Sequence, residues 1–267
     1  MTMISTPAGS IYSESTGQGA PYLWSHGLTH SIAAEKTTGP YDWSPLAERY
    51  QMVRYDALGH GRSEGSMNPD DYRWPRLADD IFRVADHYQL DQFIAGGASM
   101  GSASSIYAAL KQPERIKGLV LVIPPTAWQT RQAQVAMYEK LAQMIEGDGP
   151  ETFLRQHQIA PVTPSFITEL NPEYKAARLH DLEQLNPSWL PAIFRGAGAS
   201  DLPDSESFSG IHCPVLVLGW QGDIGHPVFT TERLLELLPQ ASGSIAATAD
   251  EVRQWPTRIG DFIESIG

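Results

Sequence analysis

Short apolar runs recur along the chain, each closed by glycine or proline before a helical pattern begins. Five read as strands: PYLWSHG (21–27), YQMVRYDALGHG (50–61), QFIAGGAS (92–99), GLVLVIPP (118–125) and PVLVLGWQGD (214–223). Runs so short and uniformly apolar suit strands covered on both faces, as in a parallel sheet. Between them the apolar period lengthens to that of a helix. Leu77, Ile81 and Val84 mark one helix over 75–89, a second follows Ser99, and TTERLLELLP (230–239) makes a third. Val252, Trp255, Ile259 and Ile263 share one face of a last helix over 249–265, which Pro256 should kink or restart. Alternating strand and helix predicts an α/β fold with a mostly parallel central sheet flanked by helices.

Residues 126–205 break this rhythm. They hold no convincing strand and read as helices over 128–147, 151–157, 172–185 and 187–196, punctuated by proline and glycine. The division expected is a core of 1–125 and 206–267 with a helical cap inserted at 126–205. No internal repeat or low-complexity segment is evident.

Composition narrows the classes. The 267 residues are 42% apolar, enough for a substantial core, and the formal charge is −12 with no long basic run. That argues against nucleic acid and anionic membrane surfaces as partners. The longest aliphatic run, LVLVI at 119–123, is far too short to span a bilayer. No signal peptide is read at MTMISTPAGS, so a cytoplasmic protein is expected. Cys213 is the sole cysteine and reads as a small core residue. The expected partner is a small-molecule substrate, and the oligomeric state stays open.

The run AGGASMGSASS (95–105) raises the first chemical question. G-A-S-M-G at 97–101 matches G-x-S-x-G, between a predicted strand and helix. A nucleophilic serine there needs a turn so tight that the residues two before and two after it crowd each other, and Gly97 and Gly101 relieve that crowding. The motif alone is weak, and an ordinary small-residue turn is the alternative. Acyl transfer also needs donors for an oxyanion. The backbone N–H of Leu28, after His26-Gly27, is one candidate, and the N–H of Met100 is the other. His26 reads as a pin for its loop and not as a base, and His30 could equally be a solvated loop residue.

These stretches together resemble the α/β-hydrolase superfamily, in its esterase and meta-cleavage-hydrolase branch. The matching residues are HG (26–27), DALGHGRS (56–63), GGASMGSAS (96–104) and GWQGDIGHP (219–227), with the helical insertion where that family keeps its lid. The resemblance covers nearly the whole chain and implies a serine hydrolase without a cofactor. The expected substrate is a small, largely apolar carboxylic ester, lactone or thioester. Ser99 would be the nucleophile and Asp223 the acid, with a turn-forming Asp as the alternative at 223. His60 would shape its loop. Trp128, Met137, Met144, Phe153, Phe166, Trp189 and Phe194 could line the pocket, though each could equally be cap core.

One part of the family pattern is absent. The order in this fold is serine, acid, histidine, with the histidine just after the last strand. None of the eight histidines follows His226. The corresponding window is SGSIAATADE (242–251), with the slot placed near Ser244. A serine without an adjacent base is a poor nucleophile. Three readings follow: a substitute base, with His226 first and the cap residues His157 and His180 behind it; a weak or inactive homologue that binds a small ligand or serves a partner; or replacement of the histidine in an otherwise active enzyme. Other chemistries fit worse. Aspartate-nucleophile relatives would carry Asp at 99, no His/Cys/Asp/Glu cluster has metal-ligand spacing, and GHGRSEG lacks the glycine spacing of a dinucleotide site.

Overall fold

The five apolar runs become strands of one sheet. In this computed structural model residues 1–39, 42–159 and 163–267 are described, the side chains of 157–159 excepted. The strands are β1 Thr2–Thr6, β2 Gly9–Thr16, β3 Pro21–Ser25, β4 Gln51–Tyr55, β5 Phe93–Ala98, β6 Ile116–Val122, β7 Val215–Trp220 and β8 Ala241–Ala246. Their order across the sheet is β1-β2-β4-β3-β5-β6-β7-β8. The pairings from β4 through β8 are parallel, and only the β1–β2 and β2–β4 pairings are antiparallel. The architecture is thus the expected α/β one, a mostly parallel eight-stranded sheet flanked by helices.

Alternation within each central strand divides the core in two. Leu23, Leu119, Leu121, Val215 and Val217 join one apolar cluster with Leu77 and Ile81 of the helix Trp74–His87. Tyr22, Trp24, Val120, Val122, Leu216 and Leu218 join the other, with Trp255, Ile259 and Ile263 of the helix Trp255–Ile266. Each strand therefore buries both faces, which is why it reads as a continuous apolar run.

Three strands escaped the sequence reading. β1 and β2 form a Ser/Thr-rich hairpin at one edge, and β8 (ASGSIA) is the half-exposed strand at the other. An edge strand needs little apolar surface, so no run announces it. The C-terminal helix is interrupted at Gln254: Ala249–Arg253 ends there, and Trp255–Ile266 begins with Pro256 in its first turn, where proline is tolerated.

Between β6 and β7 every described element is helical: Trp128–Thr130, Arg131–Asp148, Pro150–Ile159, Ile167–Leu170, Tyr174–Glu183, Leu190–Gly198 and Ser207–Gly210. Arg131 clasps the two roots of this segment. Its guanidinium donates to the Ser200 carbonyl at 2.8 Å, to Thr126 Oγ1 at 3.0 Å and to the Ala197 carbonyl, and it lies over the Trp74 ring. No helix among the described residues is long and apolar enough to cross a membrane.

Candidate active site

Ser99 lies between β5 and the helix Met100–Lys111, with φ +53° and ψ −113°. A non-glycine residue there is strained and persists only where its surroundings hold it. Its N–H donates to the Val122 carbonyl at 3.0 Å. The flanking glycines are required by space: a Cβ on Gly97 would overlap the Gly101 carbonyl carbon, and one on Gly101 would overlap the Ser25 carbonyl. The following helix directs its N-terminus, and so its positive dipole end, toward Ser99. Ser102, Ser104 and Ser105 turn their hydroxyls onto backbone carbonyls of the helix's first turn and of Ser99 itself.

The loop after β7 brings two more groups to this serine. His226 Nε2 lies 2.8 Å from Ser99 Oγ, and His226 Nδ1 lies 2.8 Å from Asp223 Oδ2. With Nδ1–H donating to the carboxylate, Nε2 is left to accept the serine proton. Asp223 also accepts from the Gly225 N–H at 2.8 Å and from the Trp220 indole N–H at 3.1 Å. Burial pushes the Asp223 carboxyl up, but His226, Gly225 and Trp220 together outweigh it and hold it below the ordinary carboxylate value. Trp220 is itself fixed by stacking on Trp255 at 5.9 Å, and its ring stands edge-on to His226.

Gly27 approaches the serine closely enough that a Cβ there would sit 3.5 Å from Ser99 Cβ. Leu28 follows Gly27 on the loop beside Ser99 and Met100 follows Ser99 in the chain, and neither N–H is bonded to another group among the described residues. His26 holds this loop in place. Its Nδ1 donates to the Gly27 carbonyl at 2.7 Å, and its Nε2 accepts from Ala57 N at 2.9 Å. The DALGHGRS block is likewise a loop brace: Asp56 accepts from the N–H groups of Ile32 and Arg62, and His60 Nδ1 donates to the Leu58 carbonyl. Burial drives His26 down to about 4 and His60 to about 3, so both are neutral.

Ser99, Asp223 and His226 open onto a cavity of about 620 Å³. Its walls come from the strand-end loops and from the helices Arg131–Asp148 and Tyr174–Glu183. Of the seven large apolar residues proposed as lining, only Met137 faces it. Phe153, Phe166 and Phe194 are buried in the packing, and Trp128 donates its indole N–H to the Pro203 carbonyl. The apolar positions of the helical segment were thus mostly used to build the segment itself. His30 lines the cavity and is held well below the ordinary histidine value, first by burial and then by Arg178.

The slot near Ser244 needs correction. Ser244 lies within β8, in register with Leu218, not in the turn that follows, and its hydroxyl accepts from the Arg258 guanidinium. The turn after β8 is Ala247-Thr248, because β8 is longer than an apolar run suggests. His180 is exposed at the end of its helix, and the His157 side chain lies outside the described residues. Sequence reasoning missed Trp220, although it stands three residues before Asp223, and Arg178, for which no motif exists. Among the described residues no group of three or more His, Cys, Asp or Glu could hold a metal ion.

The serine turn, the loop after β7 and the sheet that carries them define an α/β hydrolase. Residues 25–241 match the family described as alpha/beta hydrolase fold, and the chain belongs to that family. A putative carbamate hydrolase, RutD, from Rhizobium rhizogenes is 27% identical over 239 residues, covering 85% of this chain and 89% of the relative. A 3-oxoadipate enol-lactonase from Acinetobacter baylyi is 27% identical over 176 residues, 66% of this chain and 62% of the relative. Among solved structures, a thermophilic esterase from Thermogutta terrifontis superposes with a TM-score of 0.81 at 21% identity, covering 99% of this chain and 98% of that one. An enol-lactonase from Burkholderia xenovorans gives 0.82 at 17% identity, covering 98% and 100%.

Proposed function

We propose that the protein hydrolyses a small carboxylic ester or lactone by nucleophilic catalysis, with Ser99, His226 and Asp223 as the triad. The observation that carries this is His226, bridging Ser99 Oγ and Asp223 Oδ2 at 2.8 Å on each side. Both distances lie within the range needed for proton transfer. The substitute-base reading is therefore preferred to a site without a base.

Ser99 Oγ attacks the acyl carbon as His226 Nε2 takes its proton. Asp223 fixes the tautomer and stabilises the imidazolium. The developing oxyanion is received by the N–H groups of Leu28, on the loop after β3, and of Met100, at the helix N-terminus. The tetrahedral adduct collapses, and the proton on Nε2 passes to the leaving alkoxide. Water, deprotonated by the same nitrogen, then attacks the acyl-serine and releases the acid and Ser99. The helical segment acts as a cap that closes the cavity and limits water. The named activities of the relatives, an enol-lactonase and an esterase among them, support this substrate class.

A panel of short 4-nitrophenyl esters and small lactones tests the proposal. Turnover by the native protein that disappears in Ser99→Ala is the expected result. Turnover unchanged by that substitution would remove Ser99 from the mechanism. A native protein that turns over none of the panel but binds the acids would favour a ligand-binding homologue.

A further inference from the structure

The cavity is less apolar than its helical wall suggested. Four lining residues carry acidic or strongly basic side chains: Glu35, Lys175, Arg178 and Asp223. Both acids have cationic or hydrogen-bonding partners. Glu35 accepts from Arg54 at 2.7 Å and from the Trp24 indole at 2.9 Å, and Asp223 is held by His226. The two bases are different. Arg178 donates only to the carbonyl of Thr29 at 2.8 Å and to its hydroxyl at 2.5 Å, both neutral oxygens. Asp181, on the same helix, accepts from Thr37 Oγ1 and acts on Arg178 through its field without a salt bridge. Among the described residues neither Arg178 nor Lys175 forms an ion pair.

Burial holds Arg178 below the ordinary arginine value, against the weaker opposing pull of Tyr174 and Asp181, and its only hydrogen bonds among the described residues go to one threonine, so much of the desolvation cost is kept. Two of its five N–H donors are engaged and three remain. Lys175, an exposed residue, adds a second cation one turn away on the same cavity wall. The protein as a whole carries a charge of −12 and does not attract anions by its global field. The cationic groups on this wall, Arg178 first, are therefore a local feature of the cavity. The position of Arg178 is also defined, because it is tied to Thr29, the residue after the proposed oxyanion donor Leu28.

We infer that the preferred substrate carries a carboxylate on its acyl or lactone portion, and that Arg178, supported by Lys175, binds it while Ser99 addresses the ester carbon. The planar fork of arginine suits a carboxylate, and a charge-assisted contact in a cavity wall is stronger than a neutral one. This rests on the cavity being the site of ester or lactone hydrolysis proposed above.

The test compares kcat/KM for mono(4-nitrophenyl) pimelate with that for 4-nitrophenyl heptanoate, which has a methyl where the first has a carboxylate. The native protein is expected to prefer the anionic ester by about tenfold. Arg178→Met should erase that preference through KM. Equal loss on both esters would overturn the inference and leave Arg178 as a brace for Thr29. An unchanged ratio would overturn it as well. Calorimetric titration of the Ser99→Ala protein with pimelate separates this from the hydrolase reading. Binding that is lost in Ser99→Ala/Arg178→Met supports the inference even if neither ester is hydrolysed. No binding, or equal binding in both, refutes it.

Discussion

Two turns leave the same end of the sheet side by side, and they are put to opposite uses. β7 and β8 are in register to their last residues, Trp220 opposite Ala246, so the loops 221–227 and 247–248 start level. The first carries Asp223 and His226 to Ser99. The second is occupied with its own helix: Thr248 and Glu251 form a reciprocal capping box, and Ala247 N also donates to Glu251. The family pattern expects the acid from the first turn and the base from the second. Here one loop brings both a carboxylate and an imidazole toward the serine, three residues apart. What a serine nucleophile requires is an imidazole nitrogen at hydrogen-bond distance, oriented by a carboxylate. Those conditions do not specify the strand from which the histidine departs.

The sharpest way to break the comparison is to empty the first loop. His226→Ala should lower kcat on a 4-nitrophenyl ester by about 10⁵–10⁶, as when a triad histidine is removed from another serine hydrolase. Survival of most activity would return the base to another residue. Asp223→Asn should cost about 10⁴ in kcat with little change in KM, because the imidazole loses the carboxylate that sets its tautomer. A loss appearing only in KM would mean that Asp223 merely shapes the loop.

How much of this could be read beforehand differs between the two turns. Ser99 and Asp223 were legible because each follows an apolar strand and sits in a local pattern that constrains its backbone. His226 was visible as a candidate, but its direction was not. That direction depends on how the loop folds back, with Gly222 at φ +80° and the Gly225 N–H closing on Asp223. β8 was illegible because ASGSIA is an edge strand of small and polar residues, so the slot near Ser244 fell too early. The strands β3 to β7 were legible for the opposite reason, since both of their faces are buried. Arg178 had no local signature at all: its place in the cavity follows from packing of the helical segment, which periodicity does not specify.

The histidines themselves sharpen the contrast. His226 is part-exposed and faces the serine, whereas His26 and His60 are buried and neutral in the fold, falling to about 4 and about 3 from an ordinary value of 6.5. The unfolded chain takes up their protons near 6.5, and the folded chain does not until far lower pH. Stability should therefore fall as pH drops from 6.5 toward 3, and His30, lowered well below the same value, adds to that direction. The urea midpoint should already decline between pH 6.5 and 5, above the ordinary carboxylate range. Asp80, raised to about 6 by burial, takes up its proton over the same interval and opposes this decline, so the histidine contribution is read as the slope lost in His60→Gln; a slope unchanged by that substitution would contradict the burial of a neutral His60.

Smaller effects probe the supports. Trp220→Phe keeps the ring against Trp255 but removes the N–H that Asp223 accepts, and kcat should fall by about tenfold. No change would mean that the His226 and Gly225 contacts suffice. Ser244→His should leave the rate within about twofold and should not rescue His226→Ala, because position 244 faces Arg258 from inside β8. Rescue would show that the second turn can still serve the site.

The central claim is that His226 activates Ser99, and labelling of the serine reads it without assuming a substrate. The native protein and His226→Ala are treated with a fluorophosphonate, and adduct formation is followed by intact-mass spectrometry with the site mapped by peptide. The account predicts one adduct on Ser99 in the native protein, formed at a rate that falls by roughly three orders of magnitude or more without the imidazole. Labelling of Ser99 at the same rate in both proteins would contradict it.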